Sequence, residues 1–169
     1  MVNHYFHIKM NKAVFLDRDG VINKEKKDYV KKIEEFEIFE NIYEAIKIIK
    51  KKGFLVIIIT NQSAVNRNLL SETELLKIHN HLKNKVEANG STIDFIYYCP
   101  HRPDEDCECR KPKPGLIINA SKDFRIDLQE SYLIGNSNSD ILAANAAGCK
   151  GILLNEGESL LDLIKIHLS

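Results

Sequence analysis

The sequence has no excess of charge of either sign, no long apolar run and no low-complexity stretch. Lysine plus arginine total 24 and aspartate plus glutamate total 24, so the net charge is zero, which argues against a general binder of nucleic acid or membrane surfaces. The longest apolar run, 54–59, is too short to span a membrane. There is no internal repeat. The chain therefore suits one domain, 1–169, with its own core.

The beginning of the chain also lacks the apolar segment of a secretory signal peptide. Met10 stands close before the first strand-like run, so we expect 1–10 to form a loose extension. Only four cysteines are present, and three of them fall within 99–109. From these features we expect a cytoplasmic protein, and we expect it to be a monomer.

Strand-like and helix-like runs alternate along the chain. Continuously apolar or β-branched runs predict strands at 12–17, 54–60, 94–98, 131–134 and 151–154. Apolar stripes predict helices at 41–52, 71–87, 116–122, 139–147 and near the C-terminus. Asn41 with Glu44, and Ser71 with Glu74, predict N-terminal capping boxes. This alternation predicts an α/β fold with one Rossmann-like, doubly wound, mainly parallel sheet.

The tetrapeptide Asp17-Arg18-Asp19-Gly20 follows the first predicted strand. One carboxylate could attack an electrophile and the other could move a proton to the leaving group. A simple polar turn is an alternative. A calcium loop is a poor alternative, because its fifth and twelfth positions would be Val21 and Asp28 rather than an oxygen ligand and glutamate.

Three further polar clusters also follow predicted strands. They are 60–63, the loop 99–111, and 136–140. The carboxyl ends of parallel strands open on one edge of a sheet, where open α/β folds bind ligands. The four clusters are therefore predicted to form one site.

The loop 99–115 carries three cysteines and a histidine within eleven positions. Three thiolates and an imidazole make a closed tetrahedral zinc set, which predicts structural Zn²⁺; unliganded thiols or a disulfide are the alternatives. These ligands are Cys99, His101, Cys107 and Cys109. Cys149 is predicted to be a small core residue instead.

Arg110 and Lys111 follow the cysteines at once, and two prolines then stiffen the backbone. Cations aimed from a clamped loop suit a phosphate group. By contrast, Lys113 and the pair Lys26-Lys27 are interpreted as solvated charges.

These motifs resemble the four motifs of the haloacid dehalogenase-like phosphatases. The resemblance rests on the Asp17–Gly20 segment, Thr60-Asn61-Gln62-Ser63, Lys111, and Gly135 with Asp140 five residues later. The Cys-Pro-His and Cys-x-Cys-Arg-Lys-Pro loop is similar to that of the heptose-bisphosphate and histidinol-phosphate phosphatase branch. No segment is long enough for a large cap domain.

The resemblance implies a Mg²⁺-dependent phosphatase that acts on a small phosphorylated sugar through a phospho-aspartyl intermediate. Asp17 would be the nucleophile and Asp19 the acid and base. Magnesium would bind Asp17, Asp19 and position 136, with Asp140 supporting these ligands from behind. Thr60 and Lys111 would hold the transferring phosphoryl group. The substrate contacts implied are Tyr29, Asn61, Gln62, Ser63, Arg67 and Arg110.

Within the branch, Ser63 fits the heptose side, since histidinol-phosphate phosphatases usually carry aspartate there. Three features depart from the family pattern: Asn136 replaces an aspartate, Ser137 replaces a lysine usual in the heptose group, and the stretch 64–68 lacks the glycine of the family's loop. These departures leave two alternatives to a heptose-bisphosphate phosphatase. One is a histidinol-phosphate or other small-molecule phosphatase, and the other is a weakly active protein that only binds a phosphometabolite.

Overall fold

The computed structural model describes residues 9–168. Five strands alternate with five α-helices, as the sequence predicts. The strands are β1 (Lys12–Leu16), β2 (Phe54–Asn61), β3 (Phe95–Cys99), β4 (Tyr132–Gly135) and β5 (Lys150–Leu153). The helices are α1 (Ile42–Lys51), α2 (Glu72–Ala88), α3 (Gly115–Asp123), α4 (Asn138–Ala147) and α5 (Leu160–His167). The predicted loose extension, 1–10, lies mostly outside the described residues.

All five strands are parallel and lie in the order β3-β2-β1-β4-β5. From β1 the chain adds β2 and β3 on one side of that strand, and it then crosses over to add β4 and β5 on the opposite side. The topological switch point therefore lies between β1 and β4, and at such a point the diverging loops leave a crevice at the carboxyl ends of the strands. The predicted doubly wound sheet is confirmed.

Helices cover both faces of the sheet. The apolar stripes of α1, α2 and α5 pack on one face, and those of α3 and α4 pack on the other. Residues Ala13 to Leu16 of β1 are fully buried because both of their faces are covered. Cys149 is buried in the core on the α3 and α4 side, as the sequence predicts.

Element boundaries agree with the predictions to within about two residues, but one cap is wrong. Ser71 caps α2, because its Oγ accepts a hydrogen bond from the backbone N–H of Glu74. Asn41 precedes α1 in a helical backbone conformation and makes no capping hydrogen bond through its side chain. A side-chain cap requires an extended backbone at that position, so sequence pattern alone misassigned Asn41.

The segment between β1 and α1 forms a small, irregular flap rather than a cap domain. It contains a short 3₁₀ turn at Ile33–Glu35, and bridges join Asn23 to Asp19 and to Ile38. A second 3₁₀ turn, Pro103–Glu105, lies in the cysteine-rich loop. Among the described helices none has the length and hydropathy of a membrane span.

Asp94, which directly precedes β3, connects this strand to α1 and β2 at the edge of the sheet opposite the crevice. Its carboxylate accepts hydrogen bonds from Lys50 Nζ of α1, at 2.7 and 2.8 Å, and from the backbone N–H of Val56 in β2, at 2.7 Å. Both charged side chains are less than one-third exposed, so solvent screens the pair only in part.

We expect Asp94→Ala to lower the free energy of unfolding by about 2 kcal/mol, because the hydrogen bonds from two donors, Lys50 and the Val56 N–H, to a partly buried charge are lost. Urea denaturation measures the change. Glu37→Ala, which breaks the exposed pair with Lys24, is the matched control and should change stability little. Equal midpoints for the two variants would contradict this account of Asp94.

Candidate active site

A cleft of about 570 Å³ opens at the carboxyl ends of the strands, on the predicted edge of the sheet. It lies over the switch point between β1 and β4, and the flap and the cysteine-rich loop contribute to its walls. Most of the residues predicted to form the site line this cleft. They are Asp17, Asp19, Tyr29, Thr60, Asn61, Gln62, Ser63, Arg110, Lys111 and Asn136.

Asp17 directly follows β1 and has its carboxylate at the base of the cleft. Its Oδ1 accepts a hydrogen bond from the backbone N–H of Arg18 at 2.8 Å and lies 2.9 Å from Lys111 Nζ. Both of these contacts involve Oδ1 of Asp17. Within residues 9–168 no hydrogen bond or ion pair involves Oδ2, so that oxygen can contact a ligand. Burial raises the pKa of Asp17 to about 6, with a further contribution from Asp140, although Lys111 opposes the shift.

Lys111 is a buried cation between two carboxylates. Its Nζ lies 2.9 Å from Asp17 Oδ1 and 2.5 Å from Asp140 Oδ1, and it donates to the Ile59 carbonyl oxygen at 2.9 Å. Burial alone would lower its pKa, but the two carboxylates outweigh burial and raise the pKa of Lys111. The ammonium is therefore charged and fixed beside the nucleophilic candidate.

Asn61 forms two hydrogen bonds with the backbone of Lys111, in addition to lining the cleft. Its Nδ2 donates to the Lys111 carbonyl oxygen, and its Oδ1 accepts from the Lys111 N–H, both at 3.1 Å. This reciprocal pair joins the end of β2 to the cysteine-rich loop. The sequence predicted Asn61 as a substrate contact, and the structure gives it a positioning contact to Lys111.

Asp19 lies across the cleft within a network of hydrogen bonds. Its carboxylate accepts from Asn23 Nδ2 at 2.8 Å, from Gln62 Nε2 at 2.9 Å, and from Arg18. Burial raises the pKa of Asp19, but the Arg18 charge and these hydrogen bonds outweigh burial and lower it. Gln62 Nε2 also donates to Thr60 Oγ1 at 2.8 Å, which links the two strand ends.

Two glycines allow backbone and side chains to approach closely here. Gly20 has φ of +82°, and a Cβ there would lie 2.0 Å from Asn136 Nδ2. A Cβ on Gly135 would lie 2.2 Å from the carboxyl carbon of Asp140. A side chain at either position would therefore collide with a residue of the site.

Asn136 and Asp140 meet different partners at the end of β4. Asn136 lines the cleft beside Gly20, and its Nδ2 donates to Glu25 Oε2 at 3.4 Å. Asp140 is fully buried, and its Oδ2 accepts from Ser137 N at 3.1 Å and from Ser137 Oγ at 2.6 Å, which caps α4. Asp140 therefore supports Lys111 and the start of α4.

This arrangement of charge and donors fits a divalent cation. Asp17 and Asp140 place two carboxylates against the single ammonium of Lys111, so one negative charge remains uncompensated at the cleft base. Carboxylate and amide oxygens are ligands that Mg²⁺ prefers. Asp17, the Asp19 backbone carbonyl and Asn136 would hold it, with the Glu25 carboxylate next to Asn136.

The four predicted zinc ligands come together in the cysteine-rich loop. Cys109 Sγ lies 3.0 Å from Cys99 Sγ, 3.4 Å from Cys107 Sγ and 3.2 Å from His101 Nδ1. Cys99 Sγ lies 3.5 Å from both Cys107 Sγ and His101 Nδ1. A tetrahedral zinc ion sets its sulfur and nitrogen ligands roughly 3.5–3.8 Å apart.

These separations of 3.0–3.5 Å are slightly shorter than those around a bound tetrahedral zinc ion, and they are too long for a disulfide, whose sulfur atoms are about 2.05 Å apart. The cysteines are free. Burial and the hydrogen bond with Cys109 raise the pKa of Cys99, so a thiolate there needs a cation for stability. The predicted ligand set is thus assembled for zinc, and Cys149 is outside it.

The cysteine-rich loop carries Arg110 into the cleft. Arg110 Nη1 donates to the His101 carbonyl oxygen at 3.1 Å, which fixes the guanidinium relative to the metal cluster. Lys113 instead pairs with Asp106 and Glu108 within the loop. Lys113, interpreted from the sequence as a solvated charge, is partly exposed and outside the cleft lining, and it forms ion pairs within the loop.

Sequence reasoning missed part of the flap. Lys26 and Lys27, interpreted as solvated loop charges, line the cleft together with Glu25. Tyr29, at φ of +59°, turns its ring into the cleft wall, with its hydroxyl 3.4 Å from Ser63 Oγ. Arg67 is exposed and is not part of the cleft lining, so its substrate contact stays a prediction.

Comparison with known proteins agrees with this geometry. Residues 108–165 match the family model of HAD-hydrolase-like proteins. The chain is 43% identical over 145 residues to the D-glycero-beta-D-manno-heptose-1,7-bisphosphate 7-phosphatase of Helicobacter pylori (strain ATCC 700392 / 26695), covering 85% of this chain and 83% of that relative. It is also 43% identical over 144 residues to the alpha-anomer enzyme of Photorhabdus laumondii, covering 81% and 78%.

A solved structure is similar over nearly the whole chain. The D,D-heptose 1,7-bisphosphate phosphatase of B. bronchiseptica, complexed with magnesium and phosphate, superposes with a TM-score of 0.86. It is 31% identical in sequence, and the match covers 93% of this chain and 98% of that one. The chain belongs to the haloacid dehalogenase-like hydrolases, in the family of the heptose-1,7-bisphosphate 7-phosphatases.

Proposed function

We propose that this protein is a Mg²⁺-dependent phosphatase that removes the 7-phosphate of D-glycero-D-manno-heptose 1,7-bisphosphate. The observation that carries the proposal is the Asp17 carboxylate, partly buried at the end of β1, beside the Lys111 ammonium and facing a polar cleft. A carboxylate fixed against a cation can attack phosphorus, since the cation offsets repulsion between the two anions. The identity of the substrate is inferred from the similar proteins, which are named as heptose-1,7-bisphosphate 7-phosphatases.

In the first half-reaction, Asp17 Oδ2 attacks the phosphorus atom. The P–O bond to the sugar breaks, and its electron pair goes to the leaving oxygen, which takes a proton from the Asp19 carboxyl group. The Thr60 hydroxyl and Lys111 ammonium hold the phosphoryl oxygens as charge moves onto them. The phosphoryl group is then carried as an acyl phosphate on Asp17.

In the second half-reaction, a water molecule attacks this phosphorus and gives its proton to the Asp19 carboxylate. The bond to Asp17 breaks, and the Asp17 carboxylate leaves with the electron pair. Magnesium held by Asp17, the Asp19 backbone carbonyl and Asn136 would supply positive charge to the phosphoryl oxygens. Hydrogen bonds from Arg18, Asn23 and Gln62 stabilise the Asp19 carboxylate that accepts this proton, and the protonated Asp19 that results is the acid of the next first half-reaction.

The rest of the substrate lies between the flap and the cysteine-rich loop. Arg110 from the loop, with Lys26 and Lys27 from the flap, puts cations along the outer cleft. A bisphosphate carries a second anionic group for these cations to bind. Lys26 and Lys27 thereby supply positive charge to a cleft in which position 137 carries an uncharged serine.

A panel of phosphate-release assays tests the proposed substrate. Both anomers of the heptose 1,7-bisphosphate, histidinol phosphate and 4-nitrophenyl phosphate are compared with the purified chain and Mg²⁺. The highest kcat/KM should belong to a heptose bisphosphate, with only its 7-phosphate released. A higher value for histidinol phosphate would identify the other enzyme of the branch, and no turnover of any ester would indicate a phosphometabolite-binding protein.

Asp17→Asn should abolish phosphate release, because the amide cannot act as the nucleophile while it keeps the shape of the carboxyl group. Activity on 4-nitrophenyl phosphate and far-UV circular dichroism together measure this. Asp123→Asn, on α3 outside the cleft lining, is the matched control and should retain activity. Turnover by a folded Asp17→Asn protein would remove Asp17 from this role.

Cys107→Ser should lose zinc, because one of four ligands is removed. Elemental analysis of the purified wild-type chain should give about one zinc per chain, and the variant far less. KM should rise in the variant, since the metal cluster fixes Arg110 through His101. Cys149→Ser, outside the cluster, should keep its zinc, and full zinc content in Cys107→Ser would refute the predicted ligand set.

Asn136→Asp should lower the half-saturating Mg²⁺ concentration by about tenfold, because a charged ligand binds a cation more tightly than a neutral one. Titration of activity against Mg²⁺ measures the shift. Asn138→Asp adds the same charge two residues later, at an exposed position outside the cleft lining, and should leave the titration unchanged. Superimposable curves for Asn136→Asp and wild type would mean that position 136 is not a ligand.

A further inference from the structure

Arg18 is a buried cation on the side of Asp19 away from the cleft. It is only 1% exposed and does not line the cleft. Its Nη2 donates to both carboxylate oxygens of Asp19 at 2.9 Å, and its Nε donates to Oδ1 at 3.3 Å. The position of the guanidinium therefore sets the position and orientation of the Asp19 carboxylate.

The other side of the guanidinium meets His79 of α2. Arg18 Nη1 lies 3.3 Å from His79 Nε2, and the imidazole is 4% exposed. A guanidinium only donates hydrogen bonds, so Nε2 must be the acceptor and the ring must be neutral. Burial and the Arg18 charge lower the pKa of His79 to about 3, which keeps the ring in this acceptor form.

Phe36 completes the enclosure, with its ring centroid 5.5 Å from the guanidinium carbon. Asp19, His79 and Phe36 thus contact Arg18 from three directions. A planar guanidinium that is held in this way has little freedom to rotate. A carboxyl group that transfers a proton needs such a fixed orientation, because small displacements from the reacting geometry cost large factors in rate.

We propose that His79 is a positioning residue for proton transfer by Asp19, acting through the guanidinium of Arg18. The inference rests on the proposed function, because it assigns Asp19 the proton that the leaving oxygen receives. His79 itself exchanges no proton and touches no substrate. The competing account is that His79 only fills the core beside Tyr98, whose ring centroid lies 5.8 Å away.

Dependence on the leaving group separates these two accounts. Loss of proton transfer slows esters of poorly acidic alcohols or phenols, whereas a good leaving group departs without a proton. A general loss of packing would slow all esters alike. The purified full-length chain with Mg²⁺ is therefore assayed on 4-nitrophenyl phosphate and on phenyl phosphate, whose leaving group is less acidic.

His79→Phe keeps a planar ring beside Tyr98 but removes the acceptor for Arg18. We expect kcat/KM, which reports only the first half-reaction, to fall about tenfold on phenyl phosphate and less than about twofold on 4-nitrophenyl phosphate, since a well-placed general acid is worth roughly 10²–10⁴ and only its placement is disturbed. His79→Gln keeps an oxygen acceptor and should restore most of the loss. His81→Phe on the same helix is the matched control and should behave as wild type.

Arg18→Lys gives the same readout without altering α2. A lysine keeps the charge but cannot contact both Asp19 oxygens and His79 together, so it should also lower kcat/KM on phenyl phosphate selectively. Equal losses on the two esters, or none, in the folded His79 and Arg18 variants would overturn the inference. Wild-type protein inactive on both esters would overturn the proposed function first, and the inference with it.

Discussion

The contact between Lys111 and the two carboxylates of Asp17 and Asp140 organises the whole cleft. The ammonium is 4% exposed and Asp140 is fully buried, so these charges are screened little by water. Removing one member would leave an uncompensated buried charge, which costs far more than the net worth of the contact. The end of β1, the start of α4 and the cysteine-rich loop are thus fixed relative to one another by one ammonium group.

That contact also explains why so many parts of the structure converge on Lys111. Asn61 at the end of β2 holds its backbone on both sides, and the Ile59 carbonyl oxygen binds its ammonium. The neighbouring Arg110 is tied to the metal cluster through His101. The two cations of the loop are therefore positioned independently, one by the sheet and one by the cluster.

Sequence alone predicted the fold and most of the site, because both follow from local patterns. Apolar runs of strand length gave the strands, and the rule that parallel strands end on one edge brought the polar clusters together. The metal ligands were predictable because they are close together in the chain. Contacts between side chains that are far apart in the sequence could not be predicted in this way. His79 and Arg18 are 61 positions apart, and their contact depends on how α2 packs.

Other differences have equally local causes. Lys26 and Lys27 looked like surface charges because no periodicity indicates that an irregular flap folds over the cleft. Asn41 has a good capping residue type, but its helical backbone prevents the cap. Ser137 has a structural partner in Asp140, a contact that the sequence pattern does not indicate.

The capping of α4 limits which amino-acid substitutions this protein can tolerate. One carboxylate, Asp140, begins the helix through Ser137 with one oxygen and holds Lys111 with the other. The same side chain therefore serves both folding and chemistry, and it packs so closely on Gly135 that no side chain fits at position 135. Stability and activity cannot be adjusted separately at this end of β4, so variation within such enzymes should accumulate in the flap and the outer cleft instead.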